Sequence, residues 1–149
     1  MRITRTLGIL VVIVGLVGIV MGAVFVGLGV AKNNQLVGAM QVEQVKLSLK
    51  EGAEPTLIDT SAEAEAAGDL IRQHRHAIAA TYQELLGEGR FDPTNPEHLI
   101  FAQAMNMENY LYLAVLGFGL IQAVTASGVF MIITGVALGG TGVVLYRLS

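Results

Sequence analysis

The sequence predicts a mainly α-helical membrane protein, in which two transmembrane helices enclose a small extracytoplasmic α+β domain packed on a long second helix. Three observations predict this fold. Of the 149 residues, 53% are hydrophobic and 14% are charged, whereas about 25% of the residues in a soluble domain are charged. Two long runs contain no charged side chain, and all twelve acidic residues lie between those runs.

The first uncharged run predicts transmembrane helix 1 over residues 7–31. At a rise of about 1.5 Å per residue, this run is long enough to cross a hydrocarbon layer of roughly 30 Å. The alternative is a cleaved signal peptide, because Arg2 and Arg5 precede the run and Gly29-Val30-Ala31 is a weak cleavage site. The apolar core of a signal peptide is about 7–15 residues long, so we favour a retained span.

The second uncharged run, residues 109–146, is too long for one crossing. Two crossings require a turn near residues 126–128, where there are too few polar groups to satisfy the backbone of a turn in lipid. We therefore expect one continuous helix. Residues 109–122 form its extension above the membrane, and residues 123–146 form transmembrane helix 2.

The distribution of charge predicts the orientation. The terminal segments 1–6 and 147–149 contain three basic residues and no acidic residue. Basic residues favour the cytoplasmic side of a membrane, so we expect both termini in the cytoplasm and residues 32–108 outside it.

The middle segment begins with a predicted β-hairpin. Val45, Leu47 and Leu49 alternate with polar residues, which is the period of a half-buried strand. The sequence Glu51–Pro55 is typical of a turn, and Thr56–Ile58 is the expected returning strand. A two-stranded hairpin is marginally stable alone, so its apolar face needs a helix to cover it.

The covering helix is predicted to begin at a capping box, Thr60-Ser61-Ala62-Glu63. We expect it to run to Leu86 and to end at Gly87. Arg72 and Arg75 are expected to lie off its apolar stripe. The stripe has three- and four-residue spacing and comprises Ala67, Leu70, Ile71, His74, Ala77, Ile78, Thr81 and Leu85.

The last helix is predicted to begin at Asn95-Pro96-Glu97, which supplies an N-cap, a proline at the first helical position and an early acid. No helix breaker separates this start from the second uncharged run. We therefore expect a helix of about 40 residues or more, with the hairpin and the Thr60 helix packed on its first part.

Histidines are the candidates for a metal site, because imidazole is the commonest metal ligand. His74 and His76 are about 200° apart on a helix, so they cannot easily share one ion. We interpret His74 as a packing residue of the apolar stripe and His98 as part of a helix cap. A composite metal site of His74, His98 and a carboxylate, either Asp92 or Glu108, remains an alternative.

Several functional classes are excluded by the sequence. The uncharged runs contain no histidine to bind haem and no acid or base to relay protons or ions. The chain has no cysteine, and it lacks phosphate-binding, dinucleotide-binding, nucleophile-elbow and zinc-protease motifs. We therefore expect no cofactor and no enzymatic activity. Residues 32–108 contain twelve acidic and six basic residues, and this negative balance argues against nucleic-acid binding.

Small residues at helix-contact spacing predict close helix packing in the membrane. They form two G-x-x-x-G patterns, one in each span, with a further glycine one turn before the first pattern. The predicted packing residues are Gly15, Gly18, Gly22, Gly135 and Gly139.

The sequence also resembles an uncharacterised family of small two-span membrane proteins from actinobacteria and related bacteria, often mislabelled as aromatic ring-opening dioxygenase. The resemblance lies in Glu43-Gln44-Val45, Thr60–Glu65, Ile71 with His74, Thr81–Leu85 and Leu113–Gly119. It implies a two-span protein of the bacterial plasma membrane. A ring-opening dioxygenase needs an iron site, usually two histidines and a carboxylate. No such set occurs at convincing spacing, so no catalytic residue is carried over.

These observations lead to two functional hypotheses. The first is a non-catalytic integral membrane protein, namely a small accessory or scaffold subunit of a larger membrane assembly or a homo-oligomer, whose acidic outer domain docks a partner. The second is an extracytoplasmic sensor or metal-binding module that uses His74, His98 and nearby carboxylates.

Overall fold

The structure, a computed structural model, describes residues 2–49 and 52–148, with the backbone alone at Arg2. Its described part is mainly helical, with two long apolar helices and one two-stranded sheet. The chain forms two compact units: a two-helix unit, Met1–Asn34 with Leu120–Ser149, and a middle unit, Gln35–Gly119. In chain order the elements are α1 (Arg2–Glu43), β1 (Lys46–Leu47), β2 (Thr56–Leu57), α2 (Ser61–Ile78), α3 (Tyr82–Leu86) and α4 (Pro96–Arg147).

Both long helices extend beyond the uncharged runs that predicted them. Helix α1 has 42 residues and α4 has 52. Helix α4 is unbroken through residues 126–128, which confirms the prediction of one continuous helix. At its start, the Asn95 side-chain oxygen accepts a hydrogen bond from the Glu97 amide at 2.9 Å, which confirms the predicted N-cap.

The end of α1 was not predictable from the sequence. Gln44 directly follows the helix and has a φ of 49°, in the left-handed region that usually favours glycine at a helix C-terminus. This conformation turns the chain out of the helix and into β1.

In the two-helix unit, α1 packs against α4 along lines of glycine residues. At one end of this unit, the Arg5 guanidinium donates a hydrogen bond of 2.6 Å to the Tyr146 hydroxyl. The guanidinium carbon also lies 4.8 Å from the centre of the tyrosine ring, a distance at which a cation is attracted to an aromatic face. The first turns of α1 are thereby joined to the last turn of α4.

The middle unit contains the predicted hairpin. Strands β1 and β2 are antiparallel, with Lys46 opposite Leu57 and Leu47 opposite Thr56. The turn includes Gly52, whose φ is 75°, whereas Lys50 and Glu51 lie outside the described residues. The core joins the hairpin, α2 and α4, and its fully or largely buried members are Ile58, Ala64, Ala67, Ile71 and Leu111.

The capping box at the start of α2 is confirmed. The Glu63 amide donates to the Thr60 hydroxyl oxygen at 3.3 Å, and the Thr60 amide donates to the Glu63 carboxylate at 3.1 Å. The hydroxyl of Thr60 also donates to that carboxylate at 2.8 Å. Both residues thus satisfy donors that the first helical turn would otherwise leave unpaired.

The predicted end of this helix at Leu86 was wrong. Helix α2 ends at Ile78, and Ala79 is extended with a φ of −155°. A second cap explains the break, because the Thr81 hydroxyl oxygen accepts a hydrogen bond from the Glu84 amide at 3.1 Å. Thr81 therefore starts the separate helix α3, which ends at Gly87 as expected.

The predicted apolar stripe of α2 was also partly wrong. The buried residues of α2 are Ala64, Ala67, Gly68 and Ile71, and the next position on this face, four residues later, is Arg75. His74 is exposed instead of packed. The physical reason is that this face of α2 meets the Glu108 carboxylate of α4, which pairs with Arg75 at 2.8 Å.

We expect the substitution Thr60→Ala to destabilise α2 by about 1 kcal/mol, because it removes the side-chain cap of the Glu63 amide. Amide hydrogen exchange of the first turns of α2 should become about fivefold faster. The matched control is Ser61→Ala, at the adjacent position that is not the capping residue. Equal exchange rates in the two variants would show that the cap does not stabilise the helix.

Candidate functional site

The four candidate metal ligands are not brought together. Among residues 2–49 and 52–148, no three His, Cys, Asp or Glu side chains form a group that could hold a metal ion. His74 is exposed on α2, and Glu108 is buried in an ion pair. Only Asp92 and His98 lie close to each other. The donor set of the metal-sensor hypothesis is therefore not assembled in the described part of the chain.

Asp92 and His98 form a local cap before α4. The Asp92 amide donates to Nδ1 of His98 at 3.0 Å, and the imidazole stacks on Phe91 with 5.7 Å between ring centres. The Asp92 carboxylate accepts hydrogen bonds from the Thr94 hydroxyl at 2.7 Å and the Thr94 amide at 2.8 Å. The bond from the Thr94 hydroxyl is the main reason why the pKa of Asp92 lies below its ordinary value. These contacts are those of a structural cap.

Glu108 pairs with Arg75 at the contact between α2 and α4. The Arg75 Nε donates to the carboxylate at 2.8 Å, and the two side chains are 12% and 11% exposed. The guanidinium carbon lies 4.9 Å from the ring centre of Phe101, which is fully buried. This cluster of Arg75, Glu108 and Phe101 fixes α2 on α4, so Glu108 acts as the counter-charge of an arginine.

A second polar contact joins the same two helices. The Tyr112 hydroxyl donates to Asp69 at 2.6 Å, and Arg72 pairs with the same carboxylate oxygen at 2.7 Å. The hydrogen bond to Asp69 is the main cause that raises the pKa of Tyr112 above its ordinary value. Gly68 permits this approach, because a methyl group there would already lie 3.3 Å from the Tyr112 ring.

The glycine contacts of the two-helix unit follow a seven-residue spacing. A methyl group placed on Gly15 would lie 2.6 Å from the Gly135 carbonyl oxygen, and one placed on Gly135 would lie 2.6 Å from the Gly15 carbonyl oxygen. The pair Gly22 and Gly128 is equally close, at 2.5 Å and 2.7 Å. Each glycine carbon thus faces the backbone of the other helix. We call this line the glycine seam, and its members are Gly8, Gly15, Gly22 and Gly29 on α1, with Thr125, Gly128, Gly135 and Gly142 on α4.

The predicted packing glycines occupy different positions relative to the glycine seam. Gly15, Gly22 and Gly135 lie in it. A methyl group on Gly18 would lie 3.4 Å from the nearest backbone atom of α4, and one on Gly139 would have no neighbour within 4 Å. Gly8 and Gly128 also lie in the glycine seam and were not predicted as packing residues. Their signal is the seven-residue repeat, which is typical of two helices that supercoil around each other.

The middle unit also contains an apolar groove of about 910 Å³. Leu36, Met40 and Glu43 of α1 form one wall, residues 103–114 of α4 form the other, and Val45 and Ile58 form the floor. The lining is mostly aliphatic. Its polar side chains are Glu43, Gln103, Asn106 and the hydroxyl-bearing Tyr110.

The sequence was compared with protein-family models, with curated proteins and with solved structures, and none of the three comparisons finds a match.

We expect Gly15→Ala and Gly135→Ala each to destabilise the two-helix unit by about 1–3 kcal/mol, because a methyl group clashes with backbone that cannot move independently. Titration with sodium dodecyl sulfate in mixed micelles measures this free energy of unfolding. The matched controls are Gly27→Ala and Gly139→Ala, where a methyl group meets nothing within 4 Å. A loss of stability in Gly139→Ala equal to that in Gly135→Ala would contradict the seven-residue seam.

We expect Glu108→Gln to lower the free energy of unfolding by about 2–3 kcal/mol, because it leaves the Arg75 cation largely buried without its counter-charge. Glu97→Gln, on the exposed side of the first turn of α4, is the control and should change stability by less than about 0.5 kcal/mol. The double variant Arg75→Met, Glu108→Leu should recover most of the loss, since neither charge then remains buried. A double variant no more stable than Glu108→Gln would argue against this account.

Proposed function

We propose that this chain is a non-catalytic integral membrane protein with two spans, which serves as a small accessory or scaffold subunit of a larger membrane assembly. Its acidic middle segment, outside the cytoplasm, is the docking surface for a partner. The membrane is the plasma membrane of a bacterium, and both chain termini lie on the cytoplasmic side.

The observation that carries this proposal is the exposure of the apolar helices. In the most apolar 18-residue stretch of α1, 11% of the stretch is buried. In the corresponding stretch of α4, 17% of the stretch is buried. Val20, Leu120 and Phe130 are all more than 60% exposed. The core helix of a soluble protein buries its apolar residues. In a helix that contacts lipid, apolar residues can remain exposed because the lipid tails are equally apolar.

The glycine seam supports α1 as a resident span. Gly8, Gly15 and Gly22 meet Gly142, Gly135 and Gly128, so the seven-residue spacing of α1 is matched in α4 at three successive positions. A cleaved signal peptide has no need of a surface that fits another helix so closely. The basic residues Arg5 and Arg147 lie near the ends of α1 and α4 in the two-helix unit, which is consistent with both ends on the cytoplasmic side.

Charge supports docking by the middle segment. Glu54, Glu65, Glu88 and Glu97 are exposed to solvent, and residues 32–108 contain twice as many acidic as basic residues. Surfaces of opposite charge attract, and like charges facing each other cost free energy. An acidic surface therefore favours a basic partner of a different sequence over a second copy of itself. A homo-oligomer would use the outward faces of the spans instead.

The test is recovery of the tagged full-length chain from the membranes of its own host in a mild detergent, followed by native mass spectrometry. We expect a stoichiometric complex with another membrane protein, and we expect neutralisation of the exposed acids in Glu65→Gln, Glu88→Gln, Glu97→Gln to reduce the recovered partner about tenfold.

The matched control neutralises two bases of the same segment, Lys46→Gln and Arg90→Gln, and should leave recovery unchanged or increase it. A chain that is strictly monomeric and recovers no partner would overturn the scaffold proposal. Equal recovery by the two variants would overturn the acidic docking surface. A stable complex made only of this chain would assign the homo-oligomer.

A further inference from the structure

The groove of the middle unit is polar at one end and apolar at the other. Helices α1 and α4 run antiparallel along its two walls, so the order of residues gives its direction. Glu43, Gln103 and Asn106 mark one end. Leu36, Leu113 and Ala114 mark the other. Between residues 103 and 114 the groove extends for about 17 Å along α4, by the rise of an α-helix.

The apolar part of this groove is unusual for a surface in water. Met107, Tyr110 and Leu113 along α4 are 44%, 65% and 60% exposed, although Ile58 on the floor is fully buried. Contiguous exposed apolar surface is typical of a binding site. Methionine at positions 40 and 107 adds side chains that adapt to a flexible ligand. The volume of about 910 Å³ lies within the range of small-molecule sites.

The charge of the lining indicates the head group of the ligand. Glu43 is the one charged residue among those that line the described groove, and the amides of Gln103 and Asn106 can both donate and accept hydrogen bonds. An anionic head group would be repelled by the Glu43 carboxylate, because no cationic residue lines the described groove to offset the repulsion. A cationic head group, or one with hydroxyl groups, has suitable partners at this end.

We propose that the groove binds one acyl chain of a membrane lipid whose head group is uncharged or cationic. The acyl chain lies along Met107, Leu113 and Leu36, and the head group lies at Glu43, Gln103 and Asn106. This binding does not depend on the function proposed above.

The experiment uses the full-length chain in phosphatidylcholine nanodiscs with two photoreactive probes that carry the same diazirine acyl chain. One probe is a monoacylglycerol and the other is the corresponding fatty acid. After irradiation, peptide mass spectrometry should find the monoacylglycerol attached within residues 107–114, and the fatty acid should label this segment about tenfold less.

Three variants test the two parts of the proposal. Leu113→Glu places a charge in the apolar end at an exposed position, so the fold should remain and labelling should fall about tenfold. The matched control Asn109→Trp changes an exposed residue of the same helix outside the groove and should leave labelling unchanged. Glu43→Gln should raise fatty-acid labelling to the level of the monoacylglycerol.

Four results would overturn the proposal. Equal labelling by both probes in the unsubstituted chain would overturn the head-group assignment. Labelling confined to residues outside the groove, or unaffected by Leu113→Glu, would overturn acyl-chain binding. A cross-link between two copies of residues 107–114 would instead assign the groove to a second copy of the chain. Failure of lipid binding leaves the recovery of a protein partner unaffected, so the two proposals fail independently.

Discussion

The contact between backbones along the glycine seam is the constraint on which the two-helix unit depends. Within lipid, burial of apolar side chains does not drive helices together, because lipid tails are as apolar as leucine. In the proposed two-span arrangement, attraction comes from close packing and from weak Cα–H···O contacts, both of which need short distances between backbones. At Gly15 with Gly135, and at Gly22 with Gly128, each helix presents a carbonyl oxygen where a methyl group of the other would have to lie. Hydrogen is the only side chain that fits.

The middle unit achieves close packing through different interactions. Its core is small, and two of its five buried members are alanines, Ala64 and Ala67, which are fully buried. Such a core removes little apolar surface from water. Polar interactions with defined geometry provide stabilisation that the small buried apolar area does not. The Arg75–Glu108 pair and the Tyr112–Asp69 hydrogen bond both join α2 to α4, so the position of α2 is specified by polar geometry as well as by apolar contact.

Local features were predictable from the sequence, and features that depend on another element were not. The caps at Thr60 and Asn95 need only residues within one helical turn, and both were predicted correctly. The break before α3 was also readable, because Thr81 and Glu84 repeat the capping spacing of Thr60 and Glu63. The exposure of His74 was not predictable from local sequence. The buried face of α2 includes Arg75, whose partner Glu108 lies 33 residues later in the chain.

The glycine contacts combine two periods. The four-residue spacing indicated Gly22 and Gly135, which lie in the glycine seam, whereas contact between supercoiled helices recurs every seven residues. The spacing of Gly8, Gly15, Gly22 and Gly29 carries this period without interruption. By contrast, no period in the sequence could indicate the groove, which needs α1, the hairpin and α4 to be placed side by side.

The end of α1 determines the extent of that groove. One face of α4 in the middle unit is buried, and it includes Phe101, Glu108 and Leu111. A second face has α1 beside it only as far as Glu43, because Gln44 adopts a left-handed conformation and the chain leaves the helix. Had α1 continued for two more turns, its side chains would have extended the wall past Asn106 and Gln103. The wall that α1 contributes therefore ends at Glu43, beside a backbone conformation that a residue such as Gln44 seldom adopts.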